Sequence, residues 1–191
     1  MSLILDGSNG ITFPSGSVQN NAVANTAAIT AILGSRGLPA SVVPAGSVLQ
    51  VVTTTKTNTT TSSSGSYIDV GLSAAITPSS ATSKIFIIVS LAMGSDTGSA
   101  NVGFRIQNIT AGTSVSNDPY YVARWPSDGQ SAYYCQKINH TQIDSPATTA
   151  ATTYSIQMKT NSGSFQVNMP ANNGGFSSTL ISTITLMEIA Q

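Results

Sequence analysis

His140 and Cys135 are where a chemical reading must begin, because each residue type occurs once in the 191 residues. A nucleophilic triad needs a nucleophile held against a base, and that base held by a third group. His140 would have to be the base. Asp144 follows four positions on, with the same strand parity, and serines are plentiful, but the Gly-x-Ser-x-Gly elbow that would present a nucleophile does not occur. His140 therefore reads as a structural or solvent-facing histidine. Glycoside hydrolysis needs two carboxylates across the scissile bond. Asp6, Asp69, Asp96, Asp118, Asp128, Asp144 and Glu188 lie mostly in turn-like contexts, and spacing singles out no pair. One histidine and one cysteine cannot furnish a zinc site. Asp6-Gly7-Ser8-Asn9-Gly10 starts like a calcium loop but lacks the later carboxylate ligands, so it reads as a turn. Gly34-Ser35-Arg36-Gly37 has the spacing of a nucleic-acid clamp without its helix–strand surroundings. The expectation is a protein that is not an enzyme and has no catalytic residues, cofactor or metal.

One group of side chains suits recognition rather than reaction. Tyr120, Tyr121, Arg124, Trp125, Tyr133 and Tyr134 gather most of the large aromatics into two neighbouring segments. Tyr and Trp combine an apolar face with a hydrogen-bonding handle, as a sugar- or protein-binding patch requires. The same residues would equally fill a core and its rim. Both readings stand at this point.

The elements that would carry these residues follow from composition. Only 7% of the chain is charged, while 40% is hydrophobic, against roughly 25% charged in an ordinary soluble domain. Polarity comes instead from Ser, Thr, Asn, Gln and Gly, which suit turns and strand faces better than helix interiors. Seven basic residues balance seven acidic ones, and the basic ones are scattered singly. That excludes the basic stripe by which nucleic-acid binders neutralise phosphates. The lone cysteine allows no intrachain disulfide. The N-terminus lacks the charged start and apolar run of a secretory signal. No apolar run reaches the ~18–20 residues that span a bilayer, so neither nucleic acid nor membrane insertion is expected, and assembly in the cytosol is.

Three regions emerge along the chain. Residues 1–20 carry short apolar clusters, Leu3 to Leu5 and then Ile11 and Phe13, around the turn signals Asp6-Gly7 and Asn9-Gly10. They predict a two-stranded ribbon, which is marginal alone and needs something to lie against. Residues 21–45 predict a short helix over Asn21 to Leu33 and then a linker around Pro39 and Pro44. Ile29, Ile32 and Leu33 fall near one helix face as candidate contacts between copies. Residues 46–191 read as strands throughout: Val48 to Thr55, Tyr67 to Ile76, Ile85 to Met93, Val102 to Gln107, Tyr120 to Trp125, Ala132 to Ile143, Tyr154 to Lys159, Phe165 to Met169 and Leu180 to Ile189. Thr57 to Ser66 reads as a loop, and Asn161-Ser162-Gly163 as a hairpin between its neighbours. Val102, Phe104 and Ile106 alternate with Gly103, Arg105 and Gln107, predicting burial on one face. The last strand has apolar residues on both parities, Leu180, Ile184 and Leu186 against Ile181, Met187 and Ile189. Either a second subunit covers its outer side or a β-bulge shifts its register. The fold class expected is all-β: a jelly-roll-like β-sandwich preceded by an extended arm with a short helix.

Leu5-Asp6-Gly7-Ser8-Asn9-Gly10-Ile11-Thr12-Phe13-Pro14-Ser15-Gly16-Ser17-Val18-Gln19 resembles the N-terminal segment of tail-fibre and other virion appendage proteins of phages, notably marine cyanophages. Gly46-Ser47-Val48-Leu49-Gln50-Val51-Val52, the Asp144-Ser145-Pro146-Ala147-Thr148-Thr149 loop and Ser182-Thr183-Ile184-Thr185-Leu186-Met187-Glu188-Ile189 resemble the β-sandwich tips of such proteins. Ser15 stands where that family usually has Asp. The resemblance implies a homotrimeric structural protein of the virion, assembled in the host cytoplasm. Its arm, with Leu3, Leu5, Ile11, Phe13 and Val18, would dock on other virion proteins. Its head would meet a host-surface glycan or protein. A capsid-decorating or head-fibre protein that stabilises the shell without binding a receptor is the competing expectation.

Overall fold

Strand-forming alternation becomes ladders of hydrogen bonds in the computed structural model, which describes residues 4–6, 10–12, 18–19, 43–97, 100–116, 120–124, 134–169 and 180–191. The chain divides into two compact units, Met1–Val43 and Pro44–Gln191. In the first, β1 (Ile4–Asp6), β2 (Gly10–Thr12) and β3 (Val18–Gln19) form an antiparallel meander in the order β1-β2-β3. Leu5 pairs with Ile11, and Ile11 with Gln19. The third strand is an addition to the two-stranded ribbon expected. Leu3, Phe13 and the predicted helix with Ile29, Ile32 and Leu33 lie outside the described residues.

The second unit contains β4 (Val48–Lys56), β5 (Thr60–Ser62), β6 (Ile68–Ile76), β7 (Lys84–Ser95), β8 (Asn101–Asn108), β9 (Thr113–Ser114), β10 (Tyr120–Arg124), β11 (Tyr134–Asp144), β12 (Thr152–Thr160), β13 (Phe165–Val167) and β14 (Ser182–Ile189). Two antiparallel sheets result. One runs β4-β14-β7-β11, with the short β5 and β13 pairing alongside; the other runs β10-β8-β12-β6, with β9 on β8. Among the eight long strands, first pairs with last (β4 with β14), second with seventh (β6 with β12), third with sixth (β7 with β11) and fourth with fifth (β8 with β10). This nested ribbon, rolled so that β14 meets β7 and β12 meets β8, is the jelly roll.

The core lies between the sheets, where inward residues of both interleave: Ile85, Ile87 and Leu91 of β7 and Ile184 and Leu186 of β14 meet Leu72 of β6, Ile106 of β8, and Tyr154 and Ile156 of β12. All nine are fully buried, each contributing roughly 1.5–3 kcal/mol through removal from water. β6 must bulge where it passes β12, since Ser73 faces Ser155 but Asp69 faces Gln157. Gly71 sits in that bulge at φ +76°, a left-handed conformation that side chains resist, and the Asp69 carboxylate accepts its N–H at 2.6 Å.

Several expectations are corrected. The Thr57 to Ser66 stretch is not all loop, because Thr60–Ser62 pairs with β13. Asn161-Ser162-Gly163 makes no hairpin; β12 and β13 belong to opposite sheets, and the turn carries the chain across the sandwich. On β8 the buried set includes Gly103 and Gln107 as well as the three apolar residues, so burial is not confined to one face. β13 ends at Val167, with Gln166 buried between its apolar neighbours. In β14 the inward–outward alternation runs unbroken from Ser182 to Ile189. A register shift does occur, between Glu188 and Ile189 against β4. It adds a residue to β4 and leaves Met187 and Ile189 on the outer face of the sheet.

Candidate interaction surfaces

The residues with chemical potential are absorbed into packing. His140 sits on the inward side of β11, its ring edge-on to Phe104 at 5.6 Å. Burial pushes its pKa below the ordinary histidine value, so it packs as a neutral ring at pH 7. Asp144 accepts the Tyr154 hydroxyl at 2.7 Å and the Asn108 amide at 3.4 Å. Burial, reinforced by that carboxylate, drives the Tyr154 phenol far upward, so it stays a hydrogen-bond donor at every physiological pH. Burial also raises the Cys135 thiol to about 11, which leaves almost no thiolate for nucleophilic or redox chemistry at neutral pH. Among the described residues no three of His, Cys, Asp and Glu converge on a point where a metal could sit, and no helix is long and apolar enough to cross a membrane.

The backbone carries Tyr120, Tyr121 and Arg124 on β10, an outer strand of one sheet, and starts β11, an outer strand of the other, at Tyr134. Trp125 and Tyr133 lie outside the described residues. Leu5, Ile11 and Val18 lie on β1, β2 and β3, where Leu5 pairs with Ile11 and Val18 with Thr12.

Sequence reasoning missed a feature that strand register creates. On the outer face of the β4-β14-β7-β11 sheet, Met187 is opposite both Val51 and Phe86, and Phe86 is opposite Ile143. Four apolar side chains from four strands thus form one row straight across the sheet. Its two ends are the most open: Val51 is 54% exposed and Ile143 55%. The adjacent row is Thr53, Thr185, Ile88 and Thr141, with the Thr53 and Thr185 hydroxyls 2.9 Å apart. On the other side Val48 faces Ile189. The first two rows carry no charge, and in the third Ile189 is opposite Lys84 of β7. The one trace of this face in the sequence was the double parity of apolar residues in the last strand.

The opposite sheet is its contrast. Arg105 of β8 and Lys159 of β12 both lie over the Tyr67 ring, at 4.5 and 4.7 Å from its centroid, and Arg105 donates to the Gln157 amide oxygen at 2.9 Å. Near them a cleft of about 420 Å³ opens between the chain leading into β6 and the β12–β13 turn. Ser, Asn and Gly in low-complexity stretches gave no signal of it.

No family model matches the sequence, and no curated protein matches it. Among solved structures the chain is similar to the VP2 subviral particle of infectious bursal disease virus (TM-score 0.42, 16% identity, covering 74% of this chain and 37% of that one). It is similar also to the structure of the Gx strain of that virus (TM-score 0.41, 16% identity, 74% and 36%). The chain spans little more than a third of the length of either. Scores of this size carry no inference for this chain, whose jelly roll rests on its own strand order.

Proposed function

We propose that this protein is a structural component of a virus particle, a trimeric tail fibre or appendage whose N-terminal arm attaches it to the particle and whose jelly-roll head faces the host. The observation that carries the reading is the uncharged row Val51, Met187, Phe86 and Ile143 across one outer face. Exposed apolar surface of this continuity marks an association site. Its occupant is a second copy of the chain, because a row of four uncharged side chains meets its own copy without repulsion and without desolvating an ion. The arm supports the same reading. Strands of three, three and two residues make a meander below the size that holds together alone in water, so it gains by adding to a partner's sheet or groove. The resemblance of the Leu5 to Gln19 segment to phage appendage proteins supplies the particle.

Sedimentation of the full chain tests the assembly. Wild type is expected at three times its 19.5 kDa mass. The double variant Val51→Lys, Ile143→Lys places two cations in the row without touching the core. Association should weaken about 100-fold or more, since each buried unpaired charge costs several kcal/mol, with the melting of the monomer unchanged. A monomeric wild type at micromolar concentration, or a double variant that assembles normally, overturns the assembly. The anchor has its own test: deleting residues 1–43 should leave a folded head that no longer incorporates into particles, and normal incorporation would remove the arm's role.

A further inference from the structure

We infer that three copies of the head join edge to edge, β11 of one copy adding to β4 of the next; this rests on the trimer of the proposed function and names its contact. Among the described residues, β4 and β11 each pair on one side only, so they are the two open edges of the β4-β14-β7-β11 sheet. An open edge presents unpaired N–H and C=O groups, and sheets ordinarily blunt such edges with bulges, charges or proline. The two sheets of the head differ in this respect. In the other sheet both outer strands are interrupted, β6 by the bulge at Gly71 and β10 by a register shift between Tyr121 and Ala123. β11 stays in register with β7 at all eleven positions. From Ile138 to Ile143 it holds no Lys, Arg, Asp, Glu, Gly or Pro, and β4 holds none from Val48 to Thr55. The one register shift of β4 lies at its start, between Val48 and Gln50.

Chain direction fits the two edges to each other. β4 is antiparallel to β14, β14 to β7 and β7 to β11, so β4 and β11 run in opposite directions. Rotation about a three-fold axis along the strands keeps every copy pointing the same way. It therefore sets β11 of one copy beside β4 of the next as an antiparallel pair. Joining like edges, β11 to β11, would leave each β4 open, whereas the heterologous contact uses both edges and closes.

Side chains select the register. Val51 and Ile143 end the apolar row and are 54% and 55% exposed, while Met187 and Phe86 between them are half-buried. Set opposite each other across the new contact, Val51 and Ile143 make the row continuous from copy to copy. The same register puts Thr141 opposite Thr53 and Asn139 opposite Thr55, all four exposed in the single chain. No charge then faces a like charge. Directly opposite apolar pairs and Thr–Thr pairs are the units that stabilise a sheet.

Disulfide trapping in the full chain tests the contact, in a Cys135→Ser background so that the introduced thiols are the only ones. Opposite residues of an antiparallel pair lie about 4.5–5.5 Å apart at Cα, within reach of a disulfide. With Val51→Cys and Ile143→Cys in one chain, diamide should lock most of the protein into covalent dimers and trimers on a non-reducing gel. Each single variant should stay monomeric there, and the two single variants mixed and reassembled should give dimers alone. Val51→Cys with Asn139→Cys, out of register, should trap about tenfold less or lower, because the bond tolerates little displacement. Charge gives a second reading: Val51→Glu and Ile143→Lys should each weaken association about tenfold, and the two together should restore most of it. A trimer by sedimentation that the double cysteine variant does not trap, a single variant that traps with itself, or a charge pair that rescues nothing overturns the edge contact and leaves the assembly standing. A monomeric wild type overturns both.

Discussion

Glu188→Ala is expected to cost the head about 3 kcal/mol, through the loss of hydrogen bonds to a charged acceptor. Glu188 is the last inward residue of β14 and is fully buried. Its Oε1 accepts both the backbone N–H and the hydroxyl of Ser79, each at 2.7 Å, and its Oε2 accepts the Gln50 amide at 2.6 Å. The same Gln50 amide donates to Thr77 O at 2.7 Å. One carboxylate therefore ties β14 to β4 and to the chain leading out of β6. Alanine removes the charged acceptor of two Ser79 donors at the surface and of the half-buried Gln50 amide. Glu188→Gln keeps the shape but turns an NH₂ toward one of those donors, and should cost about 2 kcal/mol by the same reasoning. Urea unfolding at pH 7 reads both; an alanine variant within about 0.5 kcal/mol of wild type, the ordinary range for a surface change, would show that the clamp carries nothing.

The same group sets an acid limit. Burial alone would raise the Glu188 pKa, but the hydrogen bonds from Gln50 and Ser79 outweigh it and hold the value below the ordinary carboxylate range. A depressed folded pKa means that the contribution is fully present above the unfolded value of about 4.3. It is lost as pH falls through the folded value. Wild type should therefore lose stability below about pH 4, and Glu188→Gln should lose less over the same interval. Parallel slopes for the two proteins would contradict this.

At the opposite end of β14, Asn168→Ala is expected to destabilise by about 3 kcal/mol on comparable grounds. Asn168 is buried and holds φ +56°. Its NH₂ donates to the carbonyls of Lys56 at 2.8 Å and Asn58 at 3.2 Å, and its oxygen accepts the Ser182 hydroxyl at 2.7 Å. That Ser182 oxygen in turn accepts the Ala92 N–H at 2.9 Å. The network joins the end of β4, the middle of β7 and the start of β14. Alanine loses these bonds and adds backbone strain; Asn168→Gly loses the bonds but relieves the strain. The order of stability should be Asn, Gly, Ala. A glycine variant as stable as wild type would assign the whole effect to the backbone.

These two clamps show where local reading stops. Ser182 and Glu188 share the inward parity of Ile184 and Leu186, so their burial follows from alternation, yet nothing nearby in the chain names Asn168, Gln50 or Ser79 as partners. The strands themselves were legible: Val102, Phe104 and Ile106, or Tyr154, Ile156 and Met158, face one way because successive side chains in a strand must point to opposite sides. The misread pieces lacked that alternation or depended on distant neighbours. Thr60–Ser62 has no apolar residue to announce a strand, and the 161–163 turn looks like a hairpin until its flanking strands are seen in different sheets.

By itself, then, the sequence determined that the chain forms strands, which of their faces are apolar, and that little charge is left for catalysis or phosphate binding. Tertiary structure alone decided that Val51, Phe86, Ile143 and Met187 form one row and that Ser63, Asn101 and Asn161 surround one cleft. The reason is physical. Side-chain direction is a local property with a period of two residues, whereas the choice of partner strand is made by backbone hydrogen bonds that are alike at every position. Only the packing of the whole core fixes which of the many possible ladders forms.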